Sequence, residues 1–283
     1  MFYFLILNGL SMGAIYALIA LGLVILIRSL NIFNFLQGET VMGGALFGVL
    51  FVMVLKFPYW LSFLLALILM ALLGAVIERL AIRPLKNPTV NNMIVATIAA
   101  GIILQNLGLI LGGPEPLVLK SPVENLNLMI GTQKIPMQNI LIIGTAILIM
   151  AALQCFFVFT KSGICIRAVM ADREAARMMG VQVSRMITLT FAISSALGAA
   201  SGVLVGPVTF VAFDMGTISL KAFAAAIAGG MFSFVGCVIA GFGLGIVETL
   251  VAAYISSGYR DVITYALVIA VLLIRPEGLF VRK

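Results

Sequence analysis

Histidine is absent from the 283 residues, and only 10% of them carry a charge. The first absence removes the base of any Ser-His-Asp or Cys-His arrangement and a common ligand of zinc and haem. The second removes the polar skin of a water-soluble fold, since soluble domains are about 25% charged and about 45–50% apolar. Cysteine is scarce too: Cys155, Cys165 and Cys237 show no C-x-x-C spacing and read as small apolar fillers, so no metal site is expected. No G-x-x-x-x-G-K-[ST] occurs, so the chain itself is not expected to bind ATP by a P-loop, and no cofactor is expected. Ser201, in Ala200-Ser201-Gly202, lacks a base, and Glu39, Glu78, Asp214 and Glu248 stand too far apart in sequence to argue paired-carboxylate chemistry. The chain does not read as an enzyme.

What is present is apolar. Hydrophobic residues make up 63% of the chain and the mean hydropathy is +1.23, so the solvent for most of its surface is lipid. The net charge of +7 does not point to nucleic acid, because the basic residues sit in short segments between apolar runs and there is no long basic tail. A span needs roughly 20 apolar residues. Runs of that kind predict helices over 2–27, from a polar break at 31–39 to 55, and over 61–77, 91–111, 139–160, 186–206 and 262–274. Phe57-Pro58-Tyr59-Trp60 makes an interfacial turn. The first run, uncharged from Phe2 to Ile27 and followed by Arg28, reads as a retained helix and not a cleaved signal. The apolar stretch 222–253 is broken by Gly229-Gly230, Gly236, Gly241, Gly243 and Gly245 and reads as a re-entrant or broken helix, with a plain crossing helix as the alternative. The expected fold is a single all-α polytopic membrane domain over 1–283, a bundle of about eight helices. Dense small residues, as in Gly198-Ala199-Ala200-Ser201-Gly202 and Gly241-x-Gly243-x-Gly245, suit close helix packing, which accounts for most of these glycines.

Lysine and arginine counts set the expected orientation. The loop of Glu78, Arg79, Arg83 and Lys86, bounded by Pro84 and Pro88, should be cytoplasmic, as should 161–185 and the tail with Arg275, Arg282 and Lys283. The balanced segment 112–138 should lie outside. The N-terminus is then outside and the C-terminus cytoplasmic.

Two constellations stand out. Asn34-Phe35-Leu36-Gln37-Gly38-Glu39 places amides and a carboxylate between apolar spans, where they need partners or water; an interfacial turn capping the second helix is the plainer reading. Asp172-Arg173-Glu174-Ala175-Ala176-Arg177-Met178-Met179-Gly180 suits a short charged helix closed by glycine, either a solvated loop helix or a docking element. Glu174-Ala175-Ala176-x-x-x-Gly180 resembles the EAA-x3-G loop of ABC importer permeases, which docks on an ATPase subunit. Asn8-Gly9-Leu10 with Gly13-Ala14-Ile15-Tyr16-Ala17-Leu18, the 34–39 turn with Met42-x-Gly44-Ala45, and Arg275-Pro276-x-Gly278-Leu279 resemble the branched-chain amino acid permease family. That family's turn reads N-F-A-H-G-E; here Leu36 and Gln37 replace the alanine and histidine, and Gln37 keeps hydrogen-bonding capacity but cannot titrate.

The resemblance implies an inner-membrane ABC importer working by alternating access. Its partners would be a second, homologous permease, two ATP-binding subunits and an extracytoplasmic solute-binding protein. Coupling would fall to Asp172, Arg173, Glu174, Ala175, Ala176, Arg177 and Gly180. A hydrophobic zwitterion needs a few polar groups along its path, and Asn8, Tyr16, Asn34, Gln37, Glu39, Thr97 and Gln105 can supply them. Thr97 and Gln105, eight apart, lie near one helical face. A permease for urea, amides or another small solute, or a secondary carrier or channel without ATPases, are the alternatives; the latter needs no docking helix.

Overall fold

The computed structural model describes residues 2–85, 89–124, 127–130, 133–275 and 278–280. Lys86 and Pro88 of the expected loop, Pro276 of the C-terminal motif, and Arg282 and Lys283 lie outside the described residues. The chain is a helix bundle: α1 Phe2–Leu30, α2 Gln37–Val49, α3 Tyr59–Ile77, α4 Val90–Gly112, α5 Met137–Phe159, α6 Lys161–Ala171, α7 Arg173–Met178, α8 Val183–Val205, α9 Ile218–Gly229, α10 Phe234–Tyr254 and α11 Arg260–Ile274. Wider π-type turns extend α2 through Leu50–Val54 and α3 through Glu78–Ile82. A short antiparallel hairpin, β1 Asn127–Ile130 and β2 Gln133–Pro136, precedes α5.

Seven helices among the described residues are long and apolar enough to cross a membrane, and this is a multi-pass membrane protein. They are not quite the expected seven. The break at Gly229-Gly230 is there, with φ +96° at Gly230. Beyond it α10 is a full 21-residue span, whereas the last helix has 15 residues. At 1.5 Å per residue α11 rises only roughly 22 Å. The glycines of α10 do not break it; Gly241 and Gly245 admit α1, and Gly236 packs on Gly229. A Cβ on Gly241 would lie 2.8 Å from Ala17 Cα, and one on Gly245 would lie 2.5 Å from Gly13 Cα. Likewise Gly44 of α2 lies so close to α8 that a Cβ would come within 2.2 Å of Ala199 Cα. Without a hydrophobic drive between helices in lipid, such backbone proximity is the main source of packing energy.

α1 is the axis. Of its most apolar window 89% is buried, against 17% for α5, which belongs to the rim. Contacts sort the helix termini into two ends. At one end Arg28 of α1 stands over the Phe234 ring at 5.0 Å, Arg173 reaches the Ser29 carbonyl, and Leu279 N–H donates to Ala228 O at 2.9 Å. Arg83, Arg177 and Arg185 line one cavity there, and this is the basic end. At the opposite end Asn8 meets Asn139 at 2.8 Å, Gln138 donates to Leu204 O at 3.1 Å, and Leu117 pairs with Val211.

Glu78 is a correction to the expected loop: it stays in the extended α3, 3% exposed, and accepts from the Thr188 hydroxyl at 2.7 Å. A carboxylate at that depth persists because α8 brings it a donor.

Candidate functional site

Two helices begin inside the bundle rather than at its surface. The chain leaves α1, turns at Asn31 in a left-handed conformation (φ 57°), and re-enters to start α2 at Gln37. The stretch after Val211 likewise descends without helical structure to a 3-10 turn, Met215–Thr217, and α9 starts there. The two starts meet: a Cβ on Gly38 would lie 2.6 Å from both Gly216 O and Ser219 Oγ. Non-helical backbone is tolerated at membrane depth when it is enclosed by protein or lines a cavity.

Side chains of the 34–39 turn hold this junction together. Asn34, 1% exposed, accepts from Leu36 N–H at 3.2 Å and so folds the turn on itself. Gln37, fully buried, donates to Ser194 O at 3.2 Å, and its Oε1 lies 2.7 Å from Ser194 Oγ, which also reaches Gly22 O at 2.9 Å. One amide thus ties α2 to α8 and α1. Glu39 lies against α4 and the 3-10 turn: Cβ atoms on Gly101 and Gly216 would come within 3.5 Å of its Cγ and 2.9 Å of its Oε1. Its Oε2 is buried and has no hydrogen-bond partner among the described residues. From α4, Gln105 donates to Phe213 O at 3.4 Å, while Thr97 turns back to Ile94 O of its own helix at 2.8 Å.

Asn8 and Tyr16 are elsewhere. Asn139 donates to Asn8 Oδ1 at the opposite end, tying α5 to α1. Tyr16 donates to Glu248 Oε2 at 2.6 Å. Glu248, 0% exposed, also receives Lys221 Nζ at 2.5 Å and Arg260 Nε at 2.6 Å, and Lys221 bridges on to Asp261 at 2.7 Å. Four helices, α1, α9, α10 and α11, are bound by this cluster. Sequence reasoning missed it. The available signal was one acid within an apolar run, one lysine in a half-helix and an Arg-Asp pair at a helix start.

At the basic end, the Asp172 carboxylate caps α7, accepting from Glu174 N–H at 2.8 Å and Ala175 N–H at 3.1 Å. Ala176 is the buried foot of this helix. Glu174, Ala175 and Arg177 are exposed, and so are Met178 and Met179, at 86% and 85%. Gly180 closes the turn with φ +83°, a conformation that favours glycine. Arg173 points inward, donating from Nε (2.8 Å) and from Nη2 to the Ser29 carbonyl at the end of α1. Beside α7 is a cavity of about 450 Å³ lined by Arg83, Arg177 and Arg185, none of them in an ion pair among the described residues.

Long apolar helices around an internal junction of two broken ones define a polytopic membrane protein of transporter type. The family model for the branched-chain amino acid transport system permease component matches residues 5–272, and the chain belongs to that family. It is 34% identical to the high-affinity branched-chain amino acid transport system permease protein LivH of Salmonella typhimurium, over 97% of this chain and 94% of that one. It is 30% identical to BraD of Pseudomonas aeruginosa, a permease protein of a system with the same description, over 97% and 94%. The fold is shared with the structure of PsaBC from Streptococcus pneumoniae in complex with Fab: TM-score 0.55 at 15% identity, covering 95% of this chain and 91% of that one.

Proposed function

We propose that the chain is the membrane-spanning permease subunit of an ATP-driven importer for branched-chain or similar small amino acids, with ATP hydrolysis on two separate subunits. A second, homologous permease and an extracytoplasmic solute-binding protein complete the assembly, which resides in the inner membrane. The basic end faces the cytoplasm by the positive-inside rule, which leaves the N-terminus outside and the C-terminus inside. The permease descriptions of LivH and BraD support the solute class.

The observation that carries the ATP-driven part is the build of α7. Its outer face offers Glu174, Arg177 and two almost fully exposed methionines, while Arg173 on its inner side holds the end of the most buried helix. Soft apolar studs with mixed charge suit a protein partner. The three arginines beside them, in no ion pair among the described residues, suit an acidic rim on that partner. Closure of the ATPase pair then moves α7, and α7 moves α1 and the junction, opening the path alternately to either side.

The test is purification of the tagged chain from native membranes in mild detergent, beside Glu174→Lys. The wild type should bring an ATPase pair and a second permease; the variant, still inserted, should lose the ATPases. A wild-type chain that purifies alone refutes the reading in favour of a carrier or channel.

A further inference from the structure

We infer that Glu39 receives the positively charged amino group of the solute, whose apolar body occupies the cavity between α2, α3 and α4. The inference rests on the import function proposed above and names the chemistry of its binding site.

Glu39 Oε2 is buried, unbonded and without a counter-ion: the three ion pairs among the described residues all lie in the Glu248 cluster. Both other carboxylates deep in the bundle are satisfied, Glu78 by Thr188 and Glu248 by Tyr16, Lys221 and Arg260. Unpaired acids inside membrane helices are costly and face functional cavities. The space around Glu39 is kept by glycine, at Gly101 on one side and Gly216 on the other.

One turn further along the same helix faces a cavity of about 640 Å³ opens, with Met42, Leu46 and Leu104 among its walls. Met42 is three residues beyond Glu39 and Leu104 three beyond Gly101, so both helices carry the carboxylate's surroundings into the cavity wall. That volume lies within the range of roughly 300–1,000 Å³ typical of small-molecule sites. Its lining is mainly apolar and it opens outward past Val54 and Leu111, and α4 adds Gly108 and Gly112 where side chains of α2 lean across.

One negative group a helical turn away from an apolar cleft selects a primary ammonium on a branched hydrocarbon skeleton. A sugar would find too few hydrogen-bond partners there, and an anion would be repelled. Gln105, one turn above Gly101, has a second amide N–H for the solute's carboxylate beyond the one it gives Phe213.

The test uses the purified importer in nanodiscs and equilibrium binding of radiolabelled leucine. Competitors are 3-methylbutylamine, which keeps the ammonium without the carboxylate, and 4-methylpentanoate, which keeps the carboxylate without the ammonium. The amine should compete and the acid should not. Loss of a charge-assisted hydrogen bond in Glu39→Gln should weaken leucine binding about 10- to 100-fold. Glu39→Asp, which keeps the charge on a shorter arm, should fall between, and it carries the test if the amide variant fails to assemble. Leu46→Trp should weaken leucine and the amine together by filling the cavity. Unchanged affinity in an assembled Glu39→Gln importer, or equal competition by the acid, overturns the inference while leaving the import function standing. Competition by detergent or lipid tails, with none by leucine or the amine, makes the cavity a seat for an acyl chain and also overturns it. A chain that assembles with no ATPase removes the import reading and this inference together.

Discussion

Glu248→Gln tests whether the ionic cluster holds the half-helix α9 in the bundle. Glu248 is 0% exposed, Lys221 16% and Arg260 36%. Removing one partner from a buried pair costs about 3–5 kcal/mol because the remaining charge is stranded. Here the stranding is partial. Lys221 keeps Asp261 at 2.7 Å, Arg260 is exposed over more than a third of its side chain, and an amide oxygen still accepts from Tyr16. About 2–3 kcal/mol of destabilisation remains. Detergent-solubilised bundles unfold irreversibly, so the quantity to follow is a half-life, and each 1.4 kcal/mol in the barrier is about tenfold. The monodisperse fraction of the variant, followed by fluorescence-detected gel filtration at fixed temperature, should decay about 30- to 150-fold faster. Glu248→Gln with Lys221→Met should lose less than the sum of the two single losses, since the lysine no longer seeks a vanished partner. A half-life within twofold of wild type, or strict additivity, would show that the cluster is a bystander.

Two further outcomes follow from local geometry. Gly44→Val places a side chain where the backbone of Ala199 already stands, and should leave little monodisperse protein in detergent extracts, while Gly144→Ala, where nothing lies within 4 Å, should extract normally. Asp172→Ala removes the cap from two N–H groups of α7 and should cost that helix about 1 kcal/mol, seen as faster proteolytic cleavage within 172–180 on the intact chain.

Six of the seven spans were legible because a membrane helix writes its length directly in apolar residues, and the break at Gly229-Gly230 was legible because paired glycines favour a turn, which Gly230 makes with φ +96°. The glycines of α10 carried two readings, interruption and tight packing, and at 236, 241 and 245 packing is the right one: they are close contacts with Gly229, Ala17 and Gly13 respectively. Contact partners far away in sequence cannot be read from one helix. The same distance hid the polar core. The turn 34–39 announces itself, yet its anchor Ser194 comes from 157 residues away, and Tyr16 finds Glu248 across 232. Glu78 looked like a loop residue because its donor, Thr188, lies 110 residues on.

α1 is the element through which the exposed and buried parts can act on each other, because one rigid helix makes a polar contact at each level. Ser29 meets Arg173, Gly22 meets Ser194, Tyr16 meets Glu248, and Asn8 meets Asn139. A displacement of α7 transmitted through Arg173 therefore reaches the junction at Gln37 and the ionic cluster together. The bond to Ser29 is well placed: a cation at a helix C-terminus meets carbonyls that have no partner within the helix. Burial pulls the Arg173 pKa below the usual arginine value, and the guanidinium still stays charged in neutral water. Two donors on one carbonyl, half-buried, are worth about 1–2 kcal/mol. Under the proposed import function, Arg173→Gln should lower the number of solute molecules imported per ATP hydrolysed by about threefold or more in proteoliposomes, because ATPases docked on Glu174 and Arg177 would no longer grip α1 through Arg173. Arg173→Lys should recover only part of the ratio, since a point charge replaces a planar fork. An unchanged ratio in Arg173→Gln would mean that α7 drives the bundle through Ala176 and the start of α8 instead.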